Sequence, residues 1–203
     1  METISEIKDA SKPYVINFNG FLACLMYSEA HTDFRSAILN NWNSLHEFSG
    51  KYVLLLTADV PKVKERKPRR RSMIKGNSIG YLTTFAGFSP HQTDSFNSEA
   101  REYFGVRRAD MPCIVFFDDL DEPSTLSYSF RNSNDLIGDF FNIFDDCESA
   151  WSLPAAADLK NLPDYRRRKM IELESLLNRR RFLRLASRLT KNPSFSGILK
   201  IFG

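Results

Sequence analysis

Scarcity narrows this chain first. Cysteine occurs three times in 203 residues, at Cys24, Cys113 and Cys147, widely separated and odd in number. A disulfide framework is therefore not expected; free thiols in a reducing compartment are, with the cytoplasm as the default location. The three histidines also stand singly, and neither Cys-x-x-Cys nor His-x-x-x-His occurs, so no zinc site and no cofactor are expected. Long apolar runs are missing. The longest, Phe21 to Tyr27, is far too short to span a bilayer. The opening Met1-Glu2-Thr3-Ile4-Ser5-Glu6 reads as neither a signal peptide nor an arginine-rich transit segment. Lys75-Gly76-Asn77-Ser78-Ile79-Gly80 lacks the Gly-Lys-Ser/Thr that closes a phosphate-binding loop.

What is present is enough for a core. A hydrophobic share of 42 % with seventeen phenylalanines argues against general disorder, and the length suits one domain with an elaboration. Charge is unevenly distributed. Residues 61–75 carry +7 and residues 165–191 carry +8, which leaves −12 for the rest of a chain whose net charge is +3. An acidic body thus carries two basic segments.

In chain order, Lys12–Asn19 alternates like a short strand and Asn19-Gly20 marks a turn. Phe21 to Tyr27 reads as a buried strand. A helix is expected from Thr32 to about Phe48, with Phe34, Ile38, Trp42 and Leu45 on one face and Thr32 or Asp33 as its cap. Lys51 to Ala58 is a further buried strand. The basic insertion 61–93 interrupts the pattern, and its second half suggests a small hairpin or a partner-docking loop.

A helix around Ser95–Phe104 follows and should stop near Gly105. From Met111 to Phe117 both alternating sets are apolar, as in a central strand covered on both faces, with Pro112 at its first residue. Asp118 to Ser124 reads as a solvated acidic turn, and Leu126 to Phe130 as an antiparallel partner strand. Asn132 to Asn134 supply caps for a helix reaching Trp151. Beyond Pro154, residues 164–189 read as one or two amphipathic basic helices whose stripe Met170, Leu173, Leu176 and Leu177 continues less regularly through Leu183, Leu185 and Leu189. The tail from Pro193 is apolar enough to dock. The expected class is α/β, with a domain over 1–152 and a basic helical extension over 153–203.

The order strand, strand, helix, strand, insertion, helix, proline-led strand, strand, helix resembles a thioredoxin-like domain. The closest likeness lies in Ser98–Phe117, where a helix ends in Phe104-Gly105-Val106 before Pro112 opens a buried strand. The resemblance implies a mixed sheet flanked by helices and a cis Met111–Pro112 bond. It also implies that Met111 sits beside the position where redox members dock substrates. It departs from the family in the six residues between Gly105 and Pro112, and at the redox site itself. The matching position is Ala30-His31-Thr32-Asp33-Phe34, which holds no cysteine.

The leading expectation is a redox-inactive thioredoxin-like protein-interaction or assembly subunit. It would dock a protein partner or itself through Met111, Pro112 and the basic segments. One alternative is an accessory nucleic-acid binder using Arg69, Arg70, Arg71, Arg166, Arg167 and Arg168. Another is a diverged enzyme using His31 and Asp33 as acid and base.

Overall fold

The structure is a computed structural model, and it describes residues 12, 15, 18–49, 52–57, 82–84, 93–131, 133, 135–152 and 161–191, with backbone alone at 82–84, 93–97 and 184–191. It is an α/β architecture, a mixed sheet covered by helices. The strands are β1 (Phe21–Met26), β2 (Val53–Thr57), β3 (Leu82–Thr84), β4 (Cys113–Phe117) and β5 (Thr125–Ser129). The helices are α1 (Thr32–Asn40), α2 (Trp42–Ser49), α3 (Thr93–Tyr103), α4 (Leu136–Ser152) and α5 (Leu162–Lys191).

The sheet order is β3-β2-β1-β4-β5. β1 runs parallel to β2 and antiparallel to β4, β2 is parallel to β3, and β4 is antiparallel to β5. The three middle strands, β2, β1 and β4, are buried at every position, which explains why their sequences carry no polar face. One sheet face buries Phe21, Ala23, Leu25, Val53, Leu55, Ile114 and Phe116 against α1, α2, α4 and α5. The other buries Leu22, Cys24, Met26, Leu54, Val115 and Phe117 against Val15, Phe18, Ala100, Phe104 and Leu120.

Several expectations change. The strand expected over Lys12–Asn19 does not form: Lys12 and Val15 are helical, and Phe18 and Asn19 are irregular. Val15 and Phe18 are both buried on the same sheet face, a spacing of three that an alternating reading of the segment overlooks. The edge beside β2 is taken instead by Leu82–Thr84, from inside the segment expected to be an insertion. Those residues pair parallel to β2. The remainder of 61–81 and 85–92 lies outside the described residues, as do the connector 153–160 and the tail from Pro193.

The single helix expected over 32–48 is two. It breaks at Asn41, whose Nδ2 donates to the Ala37 carbonyl, yet Phe34, Ile38 and Leu45 still reach the same core. At its start His31 occupies the cap position without a side-chain cap bond, so neither Thr32 nor Asp33 caps it. α4 starts at Leu136 and is capped by Asp135, whose Oδ1 accepts the Gly138 N–H at 2.9 Å; Asn132 and Asn134 lie outside the described residues. α3 closes at Gly105 as expected. Gly105 has φ +65°, its N–H donates to Glu102 O, and the Val106 N–H donates to Arg101 O, the two bonds of a Schellman motif.

The first half of α5 belongs to the core. Met170, Leu173 and Leu177 are buried in the same cluster as Phe21 and Phe144, and Trp151 meets Phe21 and Tyr165 edge-on at 4.9 and 5.0 Å. The stripe expected to run on to Leu183 stops at Leu177, because Leu183 is 56 % exposed.

Candidate functional site

The antiparallel β1/β4 pair has two ends, and each gathers polar groups. At one end lie the C-terminus of β1 and the N-terminus of β4. The register places Met26 opposite Cys113, so the turn after β1 comes up beside Met111 and Pro112. The Met111–Pro112 bond is cis, as the resemblance implied. Pro112 is buried, its carbonyl accepts the Phe130 N–H at 2.8 Å, and Met111 is 6 % exposed. The short 3₁₀ turn Arg108–Asp110 fills the extra length before them. Arg107 grips Asp110 across it at 2.8 Å, and that pairing, mainly through the hydrogen bond, lowers the Asp110 carboxyl below its ordinary range.

At the same end of the sheet, in the turn that follows β1, lies His31. Its Nδ1 accepts the Ser28 N–H at 3.1 Å and lies 2.8 Å from Ser28 Oγ. A backbone N–H only donates, so in the neutral ring the proton sits on Nε2. His31 is half-buried and Asp33 is exposed in the first turn of α1. The sequence-expected quartet of His31, Asp33, Met111 and Pro112 is thus brought to one end of the sheet by β1 and β4.

No thiol joins them. Cys24, Cys113 and Cys147 are all free and buried. Burial, aided by Cys113, pushes the Cys24 thiol up to about 12; burial, aided by Asp110, pushes the Cys113 thiol up to about 12. Burial, reinforced by Asp146, raises that of Cys147 well above the ordinary range. A thiolate nucleophile needs the opposite shift.

The other end of the pair is organised by Arg166, a residue whose role sequence reasoning misassigned. Expected as part of a basic binding surface, its side chain is 2 % exposed. Its guanidinium donates to the carbonyls of Gly20 (3.0 Å), Val15 (2.8 Å), Asp118 (3.3 Å) and Phe18. Burial brings its pKa down to about 10 against the pull of Asp119 and Asp118, so it stays charged at neutral pH. Asp118, expected in a solvated turn, is fully buried. Its Oδ1 accepts the Ser124 N–H at 2.7 Å and its Oδ2 meets Arg167 Nε at 2.6 Å.

Along α5 the other basic residues divide. Lys169, 1 % exposed, meets Glu172 at 2.9 Å. Arg180 takes Asp146 through two nitrogens at 2.7 and 2.8 Å, and Arg181 donates to Ser127 O and lies over the Tyr128 ring at 5.3 Å. Arg168 and Arg179 are exposed. Much of the helix's positive charge therefore complements the chain's own acidic groups and carbonyls. Arg69, Arg70 and Arg71 lie outside the described residues.

No group of three or more His, Cys, Asp or Glu able to hold a metal ion occurs among the described residues, and no described helix is long and apolar enough to cross a membrane. One spacing escaped the sequence reading. Gly76-Asn77-Ser78-Ile79-Gly80 is a Gly-x-Ser-x-Gly run outside the described residues, and two residues later the chain enters strand β3. A nucleophile elbow leads from a strand into a helix, so the context differs.

Fold and site together define an α/β domain with a proline-led central strand and a thiol-free polar turn beside it. No family model, no curated protein and no solved structure matches the chain.

Proposed function

We propose that this protein is a redox-inactive, thioredoxin-like protein-interaction module that docks an extended peptide segment at the Met111–Pro112 edge. The reading of the fold is supported by the parallel β1/β2 pair bridged by α1 and α2, with β4 and β5 following antiparallel on the far side of β1. Its one clear departure is the outer strand, which comes from residues 82–84 rather than from the N-terminal segment.

The observation that carries the functional reading is the turn from Tyr27 to Asp33. It occupies the place where a dithiol enzyme needs its nucleophile, and it offers Ser28 and His31 instead. With all three thiols buried and their pKa values raised, exchange chemistry has no starting thiolate. What the edge retains is backbone and imidazole hydrogen-bonding capacity beside an apolar Met111, a combination suited to holding a peptide rather than cleaving a bond.

The test has two arms on the full chain. In a disulfide-reduction assay with a protein disulfide substrate, turnover is expected to stay at the uncatalysed rate. Activity that survives Cys→Ser changes at 24, 113 and 147 would overturn the reading. In a titration with extended peptides followed by backbone amide resonances, Ser28, His31 and Met111 are expected to move first. Peptide shifts confined to other residues would place docking elsewhere.

A further inference from the structure

The 30-residue α5 presents a second surface, on the side away from the sheet. Its inward face is defined by Arg166, Lys169, Met170, Leu173 and Leu177, all buried. The opposite face carries Ile171, Ser175, Asn178 and Phe182, in steps of four, three and four residues, which is one line along a helix. All four are exposed, and the two large apolar residues conspicuously so, Ile171 at 65 % and Phe182 at 69 %. They stand eleven residues apart, about 16 Å along the axis.

This line is self-complementary under reversal of direction. Consider a two-fold axis placed midway between Ser175 and Asn178. It sets Ile171 of one copy opposite Phe182 of the other, and Ser175 opposite Asn178. The first half of the line is flanked by Glu172 on one side and Glu174 on the other, the second half by Arg179 on the side of Glu172 and Arg181 on the side of Glu174, so an antiparallel pairing sets Glu174 beside Arg181 and Glu172 beside Arg179 of the other copy. A parallel pairing would stack like on like.

We propose that α5 pairs antiparallel with α5 of a second copy of this chain, making the protein a two-fold symmetric dimer through Ile171, Ser175, Asn178 and Phe182. The surface is separate from the Met111–Pro112 edge and independent of any reading of it. Isologous two-fold pairing is also the commonest form of self-association. A lipid surface fits the same face poorly: Ser175 and Asn178 interrupt the apolar line, and Glu172 and Glu174 repel an anionic headgroup layer. Nucleic acid is disfavoured by the same two glutamates.

The experiment is sedimentation equilibrium of the full chain over a wide concentration range. A monomer–dimer equilibrium is expected, weakened by at least about tenfold in Ile171→Asp and Phe182→Asp, as for an apolar anchor at an interface centre. Circular dichroism should be unchanged, and so should the unfolding midpoint at concentrations where the unaltered chain is monomeric, since both side chains are exposed. Glu174→Arg and Arg181→Glu should each weaken the dimer, and the double reversal should restore it. A mixture of Ser175→Cys and Asn178→Cys chains should cross-link between the two variants faster than either alone; the buried native thiols do not compete.

A chain that stays monomeric at every concentration overturns the proposal. So does a dimer indifferent to Phe182→Asp, or charge reversals without rescue. Monomers recruited to phosphatidylserine vesicles through Phe182 would assign the face to lipid instead.

Discussion

The two ends of the β1/β4 pair are built from the same two strands and treated in opposite ways. At the Gly20 end, the central polar groups are turned inward. Arg166 gathers four carbonyls, Asp118 is fully buried, and Gly20 is pressed so close to Tyr52 that an added Cβ would lie 2.6 Å from its carbonyl oxygen. At the His31 end, the polar groups are half-buried or exposed, and the chain turns loosely through Ser28 and His31. The difference teaches where stability is concentrated and where surface remains for binding. A buried charge fully engaged with carbonyls tolerates little change; a half-buried imidazole at a surface turn tolerates more.

The strongest way to break the comparison is Arg166→Met, which keeps an unbranched apolar stem and removes the donors. Four carbonyls lose that partner, and a loss of about 3–5 kcal/mol is expected in urea unfolding. A loss below about 1 kcal/mol would mean the network is solvated and the two ends are alike.

Gly20→Ala comes next. The new methyl meets Phe18 and the Tyr52 carbonyl, whose oxygen accepts the Phe21 N–H at 2.7 Å, so the strand must shift. About 1–3 kcal/mol of destabilisation is expected from such overpacking, read as a lower unfolding midpoint.

A third, smaller effect appears in pH. Cys24 and Cys113 have thiol pKa values of about 12 in the fold against an ordinary 9.0. A raised acid pKa means the unfolded chain loses its proton first. The stability associated with both thiols is therefore fully present below about pH 9 and declines as pH climbs from 9 towards 12. Replacing both with Ala or Val should flatten that alkaline decline. Native chains should also resist thiol-reactive reagents at pH 8 and react only on unfolding.

The mildest expectation concerns His31→Ala: a stability change within about 0.5 kcal/mol, together with weaker binding of extended peptides. A large stability loss there would show that the His31 end, too, is a structural plug.

The sequence disclosed the middle of this fold well. β1, β2 and β4 carry uninterrupted apolar runs, and burial on both faces is the physical cause of that pattern. It disclosed the edges poorly. β3 is three residues long in a stretch that mixes Gly, Ser and Thr with scattered apolar residues, so no periodicity announces it. The N-terminal segment looked alternating because Tyr14, Val15, Ile16 and Asn17 mix types, whereas burial selects Val15 and Phe18.

At the candidate site, the missing cysteine was legible at once, since an absence at residues 30–34 needs no coordinates. The placement of Met111 and Pro112 beside His31 followed from the expected element order. The role of Arg166 was not legible. In a run of Arg166-Arg167-Arg168-Lys169 nothing local separates the residue that is buried from its neighbours; only the helical phase shared with Met170, Leu173 and Leu177 does. Asp118 was obscured for the same reason, by three acidic neighbours that stay in the turn.

The Arg166 network has a consequence for how the chain comes to be made. The carbonyls of Val15, Phe18 and Gly20 leave the ribosome well before the guanidinium that satisfies them, which follows some 146 to 151 residues later. Until then one end of the central strand pair has no closing partner. The domain therefore matures late during synthesis, and a message truncated before codon 166 yields a chain with that end of its sheet open, a natural substrate for chaperones and proteases.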